Sequence, residues 1–237
     1  MMTAKENKLQ RSGLPMALAL LMLVTAAGIT ATGIIFKQGL WRMVPLYVSL
    51  FIAFMNSRVN RYAPLVGGLN SILYALVYLS YGLYSSAAYA FFVSMTLQLV
   101  TFIRWNKRPL GNSTELRRLK IWQMITSVVL LAAGFACLCL ITKNLSQYFL
   151  LDNAITALGI LVTVLKMLSY IEFTYFGICN EIFAVLLYIL MLKNNPEQST
   201  YLIFSLYSLV CAVVAVAFAE RNIKRQGGEL SAAYLRK

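Results

Sequence analysis

Two asparagines stand where an apolar chain has little use for them. Asn180 closes the stretch "EFTYFGICN" (172–180) with Glu181 beside it, and Asn70 sits within "VGGLNSILYALVYL" (66–79). A side-chain amide offers one acceptor and two donors, while an aromatic face stacks on a flat ring. Phe173, Phe176 and Tyr188 accompany the first asparagine, and Tyr74 and Tyr78 the second. Both stretches therefore suit a planar ligand with polar edges. Gln98 is a further amide inside an apolar run and a weaker candidate contact. Polar groups left unpaired in hydrocarbon cost kilocalories, so such residues mark function by default. The competing role is glue between helices, with Gly67 and Gly177 allowing close approach.

The elements that carry these residues are membrane spans. The chain has 237 residues, 60% hydrophobic and 12% charged, where soluble domains carry about 25% charge. It reads as an all-α polytopic membrane protein. The run 14–36 is too long for a signal-peptide core and lacks an A-x-A site, so it reads as a retained span. Eight helices are expected, near 15–36, 41–56, 64–84, 86–104, 121–141, 149–168, 171–192 and 200–219, each of about the length a bilayer requires. Pro45, Pro64, Pro109 and Pro196 fall at or near span ends, where a missing N–H costs little.

Charge placement orients them. Eight spans put seventeen cations on one side, in the N-terminus, the 2–3 turn, the 104–120 loop, Lys166 and the tail, against Lys37, Arg42, Lys143 and Lys193 on the other. The positive-inside rule then places both termini in the cytoplasm of a cell-membrane protein. The net charge of +13 comes from these flanks, so nucleic acid is not an expected partner. Lys166 and Glu172 are expected to snorkel to the interface, and Asp152 to favour a helix N-terminus.

Familiar catalytic chemistry is missing. There is no His, and Cys137, Cys139, Cys179 and Cys211 lie in apolar runs without a C-x-x-C. Neither a metal nor a cofactor is expected. Glu172 and Glu181 point about 180° apart on one helix and cannot share a substrate. No G-x-S-x-G or H-E-x-x-H is present, so an enzyme is not expected.

A shift of 110 residues lays Gly67 on Gly177, Asn70 on Asn180, Ile72 on Ile182, Leu76 on Leu186 and Tyr78 on Tyr188. The helices that follow align Tyr89 with Tyr201, Phe92 with Phe204 and Leu97 with Leu209. The repeat unit is three helices, and one intervening helix makes the two copies parallel. The expected architecture is two three-helix bundles joined by a linker helix (3+1+3), with a peripheral N-terminal helix. Its boundaries are 1–40 for the N-terminus and first helix, 41–104 for the first bundle, and 105–148 for the basic loop and linker helix. The second bundle spans 149–220 and a basic tail 221–237. On one face of the seventh helix, Phe173, Phe176, Gly177, Asn180, Ala184 and Tyr188 fall within about 120°. Asn70 and Asn180 would then line one central site.

Over roughly 41–225 the chain resembles the PnuC-type vitamin transporters. Their second bundle carries a Glu-x-Trp-x-x-Trp-x-x-x-Asn-like element, matched here by "EFTYFGICNEIFAVLLY" with Phe173 and Phe176 in place of tryptophan and Asn180 retained. "GGLNSILYALVYLSYGLY" and "LQLVTFIRWNK" resemble the family's Leu-Tyr-rich and Gln-containing helices. The resemblance implies a core like that of the SWEET sugar carriers. It also implies facilitated diffusion of nicotinamide riboside or a related ligand, and trapping by a cytoplasmic kinase. Phenyl rings lack the indole N–H, so thiamine, riboflavin or another nucleoside-like substrate stays open. Other readings are a substrate-binding component of an energy-coupling vitamin importer, an intramembrane enzyme and a non-transporting scaffold. The acids lie mostly near expected span ends, which favours transport without ion coupling. Partners are the small substrate and lipid, with a homo-oligomer left open.

An impermeant thiol reagent applied to intact cells is expected to label single cysteines placed in 84–88 and 143–148 and to spare 104–120. Labelling of 104–120 would reverse this orientation.

Overall fold

The computed structural model describes residues 4–80, 89–142 and 148–234, with side chains within 14–76, 90–141 and 148–227. Among them are eight α-helices: α1 (Ala4–Ile35), α2 (Leu40–Ser57), α3 (Ala63–Ser80), α4 (Met95–Lys107), α5 (Ile121–Thr142), α6 (Phe149–Met167), α7 (Glu172–Met191) and α8 (Ser199–Tyr234). Six contain a stretch long and apolar enough to cross a membrane: Leu14–Ile35, Leu40–Ser57, Ile121–Ile141, Phe149–Met167, Glu172–Met191 and Pro196–Gly227. The described apolar part of α3 is the shorter Ala63–Leu76. A six-residue π-helix, Tyr89–Ser94, runs into α4. The expected spans 64–84 and 86–104 fall in part on residues 81–88, which lie outside the described residues, as does 143–147.

The helices pack in matched pairs. α2 meets α3 and α3 meets α4, as α6 meets α7 and α7 meets α8. Between the two sets, α2 packs on α8 and α4 on α6. Under the 110-residue shift each of these contacts maps onto the other. α1 lies on α2 and α8, where Leu18 and Ile29 join a buried cluster with Met43, Leu50, Ala53, Tyr207 and Cys211. α5 packs chiefly on α6. α8 runs unbroken past the boundary expected at 220, because Ala, Glu, Arg, Lys and Gln there all favour helix.

The repeat also reaches the backbone. α2 ends with Val59 at φ 50° and α6 with Ser169 at φ 62°, 110 residues apart. At the first end the Asn60 N–H donates to Met55 O (3.0 Å) and the Val59 N–H to Asn56 O (2.9 Å). At the second the Tyr170 N–H donates to Leu165 O (3.0 Å) and the Ser169 N–H to Lys166 O (3.0 Å). Both are helix ends closed by a left-handed residue, a position that usually holds Gly. A β-branched residue such as Val59 is strained there, and full burial holds it in place.

The 104–120 loop, read from sequence as a plain linker, is a folded cap over both turns. Its two-stranded hairpin, Pro109–Leu110 with Ser113–Thr114, turns through Gly111 at φ 58°. The Ser113 hydroxyl donates to Val59 O (2.8 Å), and the Arg61 N–H to Asn112 O (3.0 Å). At the second turn the Arg117 N–H donates to Ser169 O and the Ile171 N–H to Arg117 O, both 2.9 Å. Trp105, fully buried, donates its indole N–H to Lys166 O (2.9 Å) and packs with Val59, Leu116, Leu165, Ile171, Phe173 and Ala219.

Two expectations fail at this face. Lys166 and Glu172 do not snorkel, each being 8% exposed. The Lys166 ammonium donates to Asn56 Oδ1 (2.8 Å) and lies over the Trp105 ring, and Glu172 Oε1 accepts the Leu119 N–H (3.0 Å). The folded loop covers the water route that snorkelling needs.

Trp105→Ala is expected to cost about 3–5 kcal/mol, read as a lower midpoint of thermal unfolding in detergent. Trp105→Phe, which keeps a ring but loses one hydrogen bond, is expected to cost about 1 kcal/mol beyond its packing change.

Candidate functional site

A cavity of about 360 Å³ opens between the two helix sets, lined from α2, α3, the π-helix, α4, α6, α7 and α8. Its size is at the lower end of small-molecule sites. From α2 come Ser49, Asn56 and Ser57, and from α3 Gly67, Asn70, Ser71 and Tyr74. The π-helix and α4 contribute Ser94 and Gln98. The wall is completed by Lys166 of α6, by Phe173, Thr174, Gly177 and Glu181 of α7, and by Phe204 and Ser208 of α8.

The α3 wall is built by hydrogen bonds. Asn70 donates through Nδ2 to Pro45 O (3.2 Å) and Ser49 Oγ (2.9 Å), which fixes its rotamer. Its Oδ1 is buried without a hydrogen-bond partner among the described residues, as is that of Asn180. The Tyr74 hydroxyl is 3.3 Å from Ser49 Oγ, and Ser71 Oγ is 2.9 Å from Ser94 Oγ. The second contact ties α3 to the π-helix, a turn type often found at functional sites. Gln98 lies against Gly67, where an added Cβ would stand 2.7 Å from its Nε2. Gly67 is there because the amide occupies the space a side chain would need.

The sequence-derived candidates divide. Asn70, Tyr74, Gln98 and Phe173 line the cavity; Phe176, Asn180 and Tyr188 do not. Asn180 Oδ1 points at α6, 4.0 Å from where a Cβ on Gly159 would be. Gly159 is the repeat counterpart of Ser49, so both asparagines face the first helix of their own set. The repeat equivalence holds, yet Asn70 also meets the cavity while Asn180 is turned into the α6–α7 seam. Phe176 packs against the Trp105 cluster, and Tyr188 stacks on Tyr201 (5.7 Å, 22°). The side chain of Tyr78 lies outside the described residues.

The face of α7 that meets the cavity carries Phe173, Gly177 and Glu181, spaced by four. It is turned from the one the sequence suggested. Glu181 is the residue this reading missed: it sits mid-helix, not near an end, and brings a carboxyl into the cavity. Lys166 and Asn56 were missed too, although the 110-residue shift pairs them. They touch across the seam between the two sets.

A family model described as nicotinamide mononucleotide transporter matches residues 39–220. The chain belongs to this family. Its fold is similar to that in the crystal structure of the vitamin B3 transporter PnuC, with a TM-score of 0.71 over 88% of this chain and 92% of that one. The two are 20% identical, so the likeness shows the shared fold. No curated protein matches significantly. As a member of this family the protein is a membrane transporter. Among the described residues no cluster of His, Cys, Asp or Glu could hold a metal ion.

Gly177 and Gly67 test the cavity separately. No atom lies within 4 Å of a Cβ at Gly177, so Gly177→Leu should fold and fill the space, abolishing ligand-induced thermal shift. Gly67→Ala should displace the Gln98 amide and weaken the shift less. Unchanged binding in both would place the ligand elsewhere.

Proposed function

We propose that this chain carries nicotinamide riboside, or a similar planar vitamin with a sugar-like part, across the cell membrane by facilitated diffusion. The observation that supports it is the character of the cavity: amides and hydroxyls for a polar ligand, three rings (Tyr74, Phe173, Phe204), one cation and one acid. Asn70, Ser49 and Gln98 supply donors and acceptors for ribose hydroxyls and a carboxamide. Glu181 suits a cationic ring such as the pyridinium of a nicotinamide nucleoside.

The same charges disfavour a nucleotide. A phosphate monoester carries about −1.5 to −2 charge at neutral pH. Here it would meet one ammonium, already bonded to Asn56, and one carboxyl. A nucleoside enters; once phosphorylated by a cytoplasmic kinase, it is poorly accommodated and stays inside. Cavity electrostatics support metabolic trapping, and the proposed carrier works as a uniporter.

The matched contacts of α2–α4 and α6–α8 support the two-bundle reading, with α5 as linker, α1 outside and 41–104 and 149–220 as the bundles. A parallel repeat of this kind puts its cargo between the halves. The cation asymmetry supports cytoplasmic termini.

Proteoliposome uptake tests this. Nicotinamide riboside should equilibrate without accumulating, collapse of proton or sodium gradients should not alter the initial rate, and nicotinamide mononucleotide should not compete. Glu181→Gln should weaken affinity for the cationic riboside about tenfold or more while leaving neutral planar ligands little changed. Accumulation above the external concentration without a kinase would overturn uniport, and its loss in Glu181→Gln would make that carboxyl the coupling group.

A further inference from the structure

A second cavity, of about 270 Å³, lies at the basic face and is separate from the first. It is lined by Arg104, Lys107 and Arg108 at the end of α4, by Arg117 of the cap, and by Met167, Leu168, Ser169 and Tyr170 at the α6–α7 turn. Four cations and no acid share this wall. The plain account is that cations gather at the ends of membrane helices and offset the helix dipoles. The magnitudes leave an excess. Two helix C-termini contribute roughly one negative charge between them, against four positive side chains. Among the described residues none of the four is ion-paired, the ion pair at this face being Arg118–Glu220 (2.7 Å).

The backbone of the walls is fixed, while the four cationic side chains are exposed. The Trp105 indole bond to Lys166 O holds the end of α4 to the end of α6. Arg117 is clamped to the turn by its N–H bond to Ser169 O and by its own carbonyl, which accepts the Ile171 N–H. Guanidinium groups present forked donors that match phosphate oxygens, and the fixed backbone keeps the roots of these side chains together. The Ser169 hydroxyl adds a further donor. Met167, Leu168, which is 39% exposed, and Tyr170 give the rim an apolar side.

We infer that this cavity binds a phosphate group, carried by either an anionic phospholipid headgroup or a soluble phosphate ester. The site stands apart from the transport cavity and does not depend on the transport reading.

The test uses the full chain in phosphatidylcholine nanodiscs and reads the midpoint of thermal unfolding, which rises when a ligand binds the folded state. One arm adds glycerol phosphate at matched ionic strength; the other replaces part of the lipid with phosphatidylglycerol. At least one arm should raise the midpoint. A response to glycerol phosphate identifies a soluble ester as sufficient, and a response to phosphatidylglycerol alone identifies the headgroup. Arg104→Gln with Arg108→Gln should weaken binding about 10- to 100-fold, from two charged donors lost. Arg221→Gln with Lys224→Gln, which removes as much charge from α8 outside the cavity, should leave the shift intact. Arg108→Gln alone serves if the double variant does not fold. No shift in either arm, or equal loss in the α8 control, overturns the proposal.

Discussion

A lysine ammonium buried between two helix sets sets the terms for this structure. Among the described residues the Lys166 ammonium has one hydrogen bond, to Asn56 Oδ1, and the face of Trp105 lies 5.6 Å away. Burying a charge is costly unless it is paired, and a neutral amide with an aromatic ring is a modest offset. The site persists because its surroundings are held independently of it. Trp105 bonds the Lys166 carbonyl rather than its ammonium, and the 104–120 cap grips both neighbouring turns at equivalent backbone positions, through the Ser113 hydroxyl at one and the Arg117 N–H at the other. Asn56 and Lys166 are repeat counterparts that meet each other. The seam between the halves is therefore built from one pair of positions that differ in type.

That difference makes the two halves unequal where they meet the central cavity. In the first half, Asn70 is braced by Pro45 and Ser49 and lines the cavity. In the second, the Ser49 counterpart is Gly159, which offers no hydroxyl, and Asn180 lies over it. Glu181 and Phe173 represent α7 in the cavity instead. A symmetric scaffold thus presents an asymmetric lining.

The reading of α7 went astray through helical phase. Several faces of an apolar helix carry aromatic and small residues, so hydrophobic periodicity cannot choose among them. Choosing the asparagine as the centre of the site face put Phe176 and Tyr188 inside; one residue on, Glu181 marks the face that the α2, α3 and α8 walls enclose. The acids as a group lie mostly near span ends, but Glu181 falls at the middle of the expected span 171–192 as it does of α7, Glu172–Met191.

Composition by itself determined that the chain lives in a membrane and is all-helical, because no soluble fold can hide so much apolar surface. The repeat offset was also legible, since it recurs in residue identities and then in the left-handed turns at Val59 and Ser169. The family was legible from "EFTYFGICN" and its neighbours. Tertiary structure decided which side of each helix faces the cavity, that Lys166 is buried instead of snorkelling, and that the basic loop is a cap with its own pocket. These depend on contacts between residues far apart in the chain, such as Trp105 with Lys166 and Ser113 with Val59, and local pattern carries no record of them.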